Sequence, residues 1–343
     1  MTDILTQFIG GLSKDEKMAL LAELKRAIAE EMAPAPDDHE KCPRCGCAAL
    51  TRKGRGSQGG RRWLCGGCGR TFGASTLSVL GASKLDAATW EEFAECTVDA
   101  ISLREAASRC GVCLSTAWFM RHRLCEAMGA RLAAFRSGPG RRCQVDETSF
   151  SESLSGNWSR SGAHKMPRRR HRCGQDAGRG YRKTDGVQVI CGVNDLGDCF
   201  CVLAARAEVS GADVGRALGG RIGPGSVVET DGNRTYDKPL ASLGVADHVV
   251  RCATGGNHGG LNLINALHSR LKRFMRPFNG VSTRHLQHYL DWFCFTEQFR
   301  KSDEDRRRIV YDAACKGTYS TTRREYAQVA IPFSDFWGRS ILV

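Results

Sequence analysis

The sequence predicts an α/β fold preceded by a metal-stabilised ribbon and a helical segment. Three observations carry this prediction: strand and helix patterns alternate through residues 140–300, two CxxC pairs stand within residues 37–80, and residues 84–136 have a helical period. The remaining parts are an N-terminal helix within residues 1–36 and a charged tail at 301–343.

The N-terminal helix is predicted over residues 14–32. Ser13 and Glu16 have the spacing of a capping box, a helical period follows them, and Pro34 and Pro36 end the pattern. Packing and self-association both remain open as its role.

The ribbon prediction rests on Cys42, Cys45, Cys65 and Cys68, with 19 residues between the two pairs. Each CxxC turn directs two thiolates at one centre, so the pairs complete a closed tetrahedral site of the structural kind, for which Zn²⁺ is the expected ion. Arg61 and Arg62 stand among several basic residues here, which favours a DNA-facing ribbon, although a solvated basic surface would have the same composition.

The segment 84–136 reads as helix, tight turn at Gly111, and a second helix capped by Ser115. We interpret it as a helix-turn-helix candidate with Arg121 and Arg123 as DNA contacts, while a plain helical hairpin between domains remains open.

In residues 140–300, strands are predicted at 143–150, 186–193, 199–204, 226–232 and 248–252, with helices at 212–219, 261–276 and 285–295. A basic insertion, residues 151–185, has nine Lys or Arg residues against one acid between positions 160 and 183. That composition predicts a mobile loop, which either clamps DNA through Arg168, Arg169 and Arg170 or is merely disordered.

Two aspartates on predicted strands indicate a cation site. Asp146 stands mid-strand and Asp231 ends another strand, and buried carboxylates on neighbouring strands repel unless a cation lies between them. Mg²⁺ suits such a pair. Strand alternation turns Glu147 to the opposite face, whereas Glu229 shares the face of Asp231 and is a reserve ligand.

The predicted helix 261–276 is amphipathic. Ile264, Leu267, Leu271, Phe274 and Met275 form its apolar face, and the other side is a polar row of Asn265, His268, Ser269, Lys272 and Arg276. An ordinary amphipathic helix with a solvated basic side would have the same pattern. The polar row therefore indicates a functional site only if it faces the two aspartates.

Composition narrows the class of partner. Lys and Arg number 50 against 37 Asp and Glu, a net charge of +13 that favours a polyanion such as double-stranded DNA. No apolar run is long enough to span a membrane, and the N-terminus lacks the pattern of a secretion signal. We therefore expect the cytoplasm, and free, mostly buried thiols among the 17 cysteines, such as Cys191, Cys199, Cys201 and Cys294.

Taken in order, CPRCG with CGGCGRTF, QVDETSF, VETDGNRTYD, NLINALHSRLKRF and GVSTRHLQHYLDWF resemble the transposases of the insertion-sequence family numbered fifteen ninety-five, over roughly residues 40–300. The resemblance implies an RNase H-like catalytic domain with a zinc ribbon, acting on DNA by two-metal phosphodiester cleavage and strand transfer. It implies a nucleoid-associated protein that forms a homo-oligomer on transposon ends.

The resemblance also implies a catalytic set of Asp146, Asp231, Asn265 and Lys272, with Mg²⁺ or Mn²⁺ held by the first three. Asn265 stands at the place where much of the wider group has Glu. Some members of the family also have Asn there. Further DNA contacts are expected from His268, Arg270 and Arg276. A DNA-binding regulator with a decayed catalytic domain, or a nuclease that never joins strands, remains open as an alternative.

Overall fold

A computed structural model describes residues 8, 10–20, 23, 39–56, 60–81, 83–153, 186–251, 260–300, 305–316, 319 and 321–333. The chain divides into two compact units. The first comprises Met1–Asp99, Ala106–Ala127 and Arg307–Ser320, and the second comprises Ala100–Glu105, Met128–Arg306 and Thr321–Val343.

The first unit contains a small three-stranded antiparallel sheet. Its strands, in the order in which they pair, are β1 (Leu50–Arg55), β2 (Arg61–Cys65) and β3 (Thr71–Phe72). The buried residues Cys42, Trp63, Cys65 and Phe72 form its core. So small a core leaves much of the stability of this ribbon to whatever the cysteines bind.

Three helices follow the ribbon: α1 (Ala87–Val98), α2 (Leu103–Arg109) and α3 (Leu114–Arg131). Asp86 caps α1 by accepting from the Thr89 backbone N–H at 2.7 Å. Gly111 adopts a φ of 62° in the turn between α2 and α3, a value that favours glycine, as the sequence predicted. The predicted cap at Ser115 is wrong, because α3 begins at Leu114 and Ser115 lies in its first turn.

The second unit is built on a five-stranded mixed sheet. Its strands are β4 (Arg142–Ser151), β5 (Gly186–Asn194), β6 (Cys199–Arg206), β7 (Val227–Thr230) and β8 (Asp247–Val250). They lie in the order β6-β5-β4-β7-β8. β4, β5 and β6 pair antiparallel, whereas β4, β7 and β8 run parallel to one another. The strands predicted from the sequence are therefore confirmed.

Helices cover both faces of this sheet. On one face α4 (Gly211–Leu218) and α5 (Asp237–Ser242) pack through Val214, Leu218 and Leu240. On the other face α6 (Asn262–Met275) and α7 (Leu286–Gln298) pack through Ile264, Leu267, Leu271, Leu290 and Phe293. Every residue of β5 is buried, as expected for a strand with helices on both sides.

Buried thiols belong to this second core. Cys191, Cys201 and Cys294 are buried and Cys199 is partly buried. Burial raises the pKa of Cys191, so its thiol is protonated near neutral pH.

The chain ends are more regular than their composition suggests. Residues 14–20 are helical, and the Ser13–Glu16 capping box is present, with Ser13 N donating to Glu16 at 2.8 Å. The rest of the predicted 14–32 helix lies largely outside the described residues. The charged tail contains α8 (Arg306–Lys316) and α9 (Arg323–Gln328).

Candidate active site

Asp146 lies mid-strand on β4 on the face covered by α6. Its partner on β5 is Cys191, whose side chain belongs to the core beneath that helix. The Asp146 side chain is 21% exposed, and its Oδ2 lies 3.8 Å from Nδ1 of His268 on α6. Burial raises the pKa of Asp146 to about 7, assisted by the nearby carboxylates of Glu147 and Asp231. A cation close to such a carboxylate stabilises its ionised form.

Asp231 follows the last residue of β7. Gln144 on β4 pairs in parallel register with Glu229 on β7, and two further residues along each strand bring Asp146 level with Asp231. The Asn233 backbone N–H donates to Asp231 Oδ1 at 3.0 Å and orients the carboxylate. The two predicted carboxylates therefore meet at one end of the parallel pair.

Glu147 faces the other side of the sheet, as predicted. Its Oε2 accepts from the buried Tyr236 hydroxyl at 2.7 Å, and its Oε1 accepts from Asn233 Nδ2 at 3.1 Å. Glu147 is therefore tied to the turn that carries Asp231, and both of its oxygens have protein donors.

Glu229 does not meet the expectation of a reserve ligand. Its Oε1 accepts from Arg142 at 2.6 Å and from Arg251 at 2.8 Å, and its Oε2 accepts from Gln144 at 2.9 Å. Burial opposes ionisation, but these hydrogen bonds hold the pKa of Glu229 below its ordinary value. The carboxylate is thus a structural anion with its oxygens engaged.

Helix α6 presents its polar side largely as predicted. Asn265, Ser269, Lys272 and Arg276 are exposed, and the Lys272 charge lies close enough to lower the pKa of Asp146. The apolar side is buried at Ile264, Leu267 and Leu271. Asn265 and Lys272 are seven residues apart, two helical turns, and so share a face.

His268 is the exception in this row because it is buried. Burial, with a smaller contribution from Lys272, lowers the pKa of His268 to about 4, so the ring is neutral near pH 7. Its Nε2 is buried and has no hydrogen-bond partner among the described residues. A neutral, buried ring does not serve as a phosphate-binding cation, so the prediction of a DNA contact is not supported there.

The other predicted DNA contacts divide into exposed and engaged side chains. Arg270 is engaged, because its guanidinium lies 2.9 Å from the buried carboxylate of Glu297. Arg121 is buried with its guanidinium over the Phe93 ring, and Arg123 is buried over the Phe119 ring. Packing therefore buries Arg121 and Arg123, and an ion pair engages the partly exposed Arg270.

On the ribbon, Arg62 is exposed and donates to Thr71 Oγ1 at 3.1 Å, and Arg61 is half-buried. Arg168, Arg169 and Arg170 lie outside the described residues. Arg276 is exposed at the end of α6. The described part of the chain thus leaves Arg62 and Arg276 as the exposed members of the predicted set.

The four ribbon cysteines form a cluster. The sulfurs of Cys42, Cys45, Cys65 and Cys68 all lie within 4.8 Å of one another, with Cys42 and Cys68 3.8 Å apart and Cys45 and Cys65 3.5 Å apart. Left-handed Gly46 and Gly69 close the two knuckles. This donor set and spacing are compatible with a tetrahedral metal ion.

Gln144 was not singled out from the sequence, yet it contacts three elements of the site. Its amide nitrogen bonds Glu229 and the Gly260 carbonyl, and its amide oxygen accepts from the backbone of α6. The available signal was its position two residues before Asp146, which places both on one face of β4.

Comparison with known protein families gives one assignment. Residues 157–298 match the ISXO2-like transposase domain of the IS1595 family. The chain carries an IS1595-family transposase domain. The matched residues contain Asp231, Asn265 and Lys272, whereas Asp146 lies just before them.

Comparison with curated proteins finds no match. Among solved structures, a chain of the simian T-cell lymphotropic virus intasome in complex with the PP2A regulatory subunit B56 gamma aligns with 11% identity and a TM-score of 0.29. The alignment covers 60% of this chain and 67% of that chain. A TM-score this low supports no conclusion about shared fold or activity. In the described part of the chain, no helix has the length and apolar character needed to cross a bilayer.

Proposed function

We propose that this protein is the DNA transposase of a bacterial insertion sequence, which binds transposon ends and catalyses metal-dependent cleavage and strand transfer. One observation carries the proposal. Asp146 and Asp231 come level at the end of two parallel strands, on the side of the sheet where α6 carries Asn265 and Lys272. Such a meeting of carboxylates, amide and ammonium suits a reaction at a phosphodiester.

The donor set fits Mg²⁺ or Mn²⁺. Carboxylate and amide oxygens are ligands for hard cations. The pKa of Asp146 is raised first by burial and then by the Glu147 and Asp231 carboxylates, and a bound cation would favour its ionised form. In a two-ion site, Asp146, Asp231 and Asn265 would hold the ions. When bound, the ions would activate the attacking water or hydroxyl and stabilise the leaving oxygen.

The protein groups then have distinct tasks. Asp146 and Asp231 supply the negative charge of the site. Asn265 contributes an oxygen but no charge, so the cation on its side should be held more weakly than by a carboxylate and should gain further affinity when the DNA phosphate adds its charge. Lys272, exposed on the face of Asn265, would contact the scissile or an adjacent phosphate and neutralise it.

Two other elements support DNA binding. The cysteine cluster would hold a structural Zn²⁺, which would fix a ribbon whose strand β1 exposes Arg52, Lys53 and Arg55. The helices α2 and α3, with a glycine turn between them, suit a helix-turn-helix. We infer binding to double-stranded DNA through these elements, in the cytoplasm at the nucleoid.

The strand arrangement supports an RNase H-like assignment for the second unit. Three antiparallel strands are followed by two strands parallel to the first, with helices on both faces, as the family resemblance implies. Joining two transposon ends implies at least two copies of the chain on DNA, so we propose a homo-oligomer in the assembled complex.

The test uses the whole chain with labelled duplexes that carry the terminal inverted repeats we expect to flank its coding region. Wild type should cleave at the repeat end and join it to target DNA with Mg²⁺ or Mn²⁺. Asp146→Asn and Asp231→Asn should abolish both reactions while gel-shift affinity for the duplex is unchanged. Strand transfer by Asp146→Asn at the wild-type rate would overturn the assignment.

The same assay addresses the one residue that departs from an all-acid site. If wild type binds the duplex but never cleaves it, and Asn265→Glu does cleave, the chain is a DNA-binding regulator with a decayed site. If wild type cleaves as well as or better than Asn265→Glu, the amide belongs to a working site.

A further inference from the structure

Gln144 lies on β4 and uses its entire hydrogen-bonding capacity to join three elements. A primary amide offers two donors and two acceptor lone pairs. Its four bonds are Nε2 to Glu229 Oε2 at 2.9 Å, Nε2 to the Gly260 carbonyl at 2.9 Å, and acceptance by Oε1 from Leu263 N at 3.0 Å and Ile264 N at 3.1 Å. The Gln144 side chain is buried, so bulk water cannot replace these hydrogen bonds if the amide is removed.

These contacts supply the missing cap of α6. The first N–H groups of a helix have no partner inside the helix and usually bond a side chain at its start. Leu261 occupies the cap position and offers no side-chain bond. The Gln144 oxygen takes that role from the neighbouring strand, at the two residues that immediately precede Asn265.

We propose that Gln144 is a positioning residue for the metal site: it sets the position of Asn265 against Asp146. The inference rests on the proposed function. Gln144 and Asp146 stand two residues apart on one rigid strand, so the strand that carries the first aspartate also holds the start of the helix that carries the third ligand. Glu229 is anchored by Arg142 and Arg251, which fixes the other side of the amide.

The consequence is a change in cation affinity. Removing a group that orients a metal ligand typically lowers metal affinity or activity about 10- to 100-fold. A buried glutamine with no positioning role would instead change stability alone. Mn²⁺ affinity, measured without any reaction, separates the two cases.

The chain offers a matched control in Gln188. This buried glutamine lies on β5 of the same sheet, donates to the Ala207 carbonyl at 2.7 Å and accepts from Ser149 Oγ at 2.6 Å. Both of these partners lie outside α6 and the carboxylate pair. Gln144→Met and Gln188→Met therefore remove the same amide from the same sheet, with and without contact to the site.

The experiment titrates full-length protein with Mn²⁺ alone and follows the free ion by its electron paramagnetic resonance signal, with melting curves for each variant. Asp146→Asn should abolish binding, Gln144→Met should weaken it about 10-fold, and Gln188→Met should leave it unchanged. If Gln144→Met binds Mn²⁺ with wild-type affinity while Asp146→Asn loses binding, the proposed role of Gln144 is overturned and the metal site stands. Unchanged binding in Asp146→Asn overturns the metal site itself.

A second pair of variants keeps the test open if Gln144→Met does not fold. Gln144→Glu retains both acceptors for α6 but places a carboxylate against Glu229, so Mn²⁺ binding should weaken. Combining Gln144→Glu with Glu229→Gln re-forms the hydrogen bond between these two side chains with donor and acceptor exchanged. The double variant should recover part of the lost affinity, because the bond to the Gly260 carbonyl stays lost. Failure of the double variant to bind better than Gln144→Glu, at equal melting temperature, would contradict the proposal.

Discussion

The Tyr236 hydroxyl donates a 2.7 Å hydrogen bond to Glu147, the residue that directly follows Asp146. The same carboxylate accepts from Asn233 Nδ2 at 3.1 Å, and the Asn233 backbone N–H donates to Asp231 at 3.0 Å. Although Glu147 faces away from the side of the sheet that carries Asp146 and α6, it holds the turn of the second aspartate to the strand of the first.

Removing the Tyr236 hydroxyl should therefore affect both stability and catalysis. Tyr236→Phe loses one buried hydrogen bond, so we expect the free energy of unfolding in urea to fall by about 1 kcal/mol. Because the Asp231 turn loosens, the rate constant for DNA cleavage should fall while duplex affinity is unchanged. Tyr319→Phe is the control. The Tyr319 hydroxyl is buried and donates to the Ala313 carbonyl, and both residues belong to the first unit, whereas Tyr236 belongs to the second. An equal loss of cleavage in Tyr319→Phe would assign the effect to stability alone.

The raised pKa of Asp146 predicts a pH-dependent effect of Asp146→Asn on stability. Because the folded-state pKa, about 7, exceeds the ordinary value of 3.8, ionising Asp146 destabilises the metal-free fold. Below pH 3.8 the wild type and the variant should be equally stable with respect to this group. Between pH 3.8 and 7 the free energy of unfolding of the variant should rise relative to that of wild type. Above pH 7 the difference should stay constant, at more than the roughly 1.4 kcal/mol that corresponds to one pKa unit. Urea unfolding in chelator-treated buffer at pH 5, 6, 7 and 8 measures this gain.

Millimolar Mg²⁺ provides the control for that series. A cation bound to wild type stabilises the ionised form, so the advantage of Asp146→Asn at pH 8 should shrink or reverse. An advantage that is the same at all pH values and in the presence of Mg²⁺ would contradict both the raised pKa and the metal site.

Arg270 and Arg276 lie on the same helix, but only Arg276 should contribute to DNA affinity. Arg276→Gln removes an exposed cation, so the slope of log affinity against log salt should become shallower by about 0.9 if it meets one phosphate. Arg270→Gln should leave this slope unchanged and lower the free energy of unfolding by about 1 kcal/mol, because the buried Glu297 loses its 2.9 Å partner and keeps the 3.3 Å contact with Arg300. Fluorescence anisotropy across a salt series and urea unfolding measure the two effects. A shallower slope for Arg270→Gln would restore Arg270 as a DNA contact.

Sequence patterns located the elements of the second unit because each has a clear period. The apolar strand runs, the end of β7 beside Asp231 and the amphipathic helix carrying Asn265 were all predicted, and the two aspartates followed from carboxylates placed on strands. Glu147 also faces as the alternation of β4 requires.

Hydrogen-bond partners distant in sequence could not be predicted this way. Glu229 shares a face with Asp231, yet its oxygens are engaged by Arg142, Arg251 and Gln144, and only the pairing of β4 with β7 brings these groups together. Arg270 likewise meets Glu297 across 27 residues of sequence. Charge and helical position predict an exposed cation. Whether that cation is available to contact a DNA phosphate depends on its ion-pair partners in the folded protein.

The cysteine cluster leads to a last prediction, that zinc is the core of the ribbon. Cys65→Ser should reduce bound zinc and lose hydrogen-exchange protection in β1, β2 and β3, because the four sulfurs within 4.8 Å form a closed site in which each ligand is needed. Cys47→Ser is the matched control: this cysteine lies in the same ribbon but outside the cluster. Among the described residues, its sulfur accepts only from the Ala49 N–H, at 3.4 Å. Zinc content by mass spectrometry should fall in Cys65→Ser and remain at the wild-type level in Cys47→Ser. Equal zinc loss in both variants would show that the four predicted ligands are not the metal site.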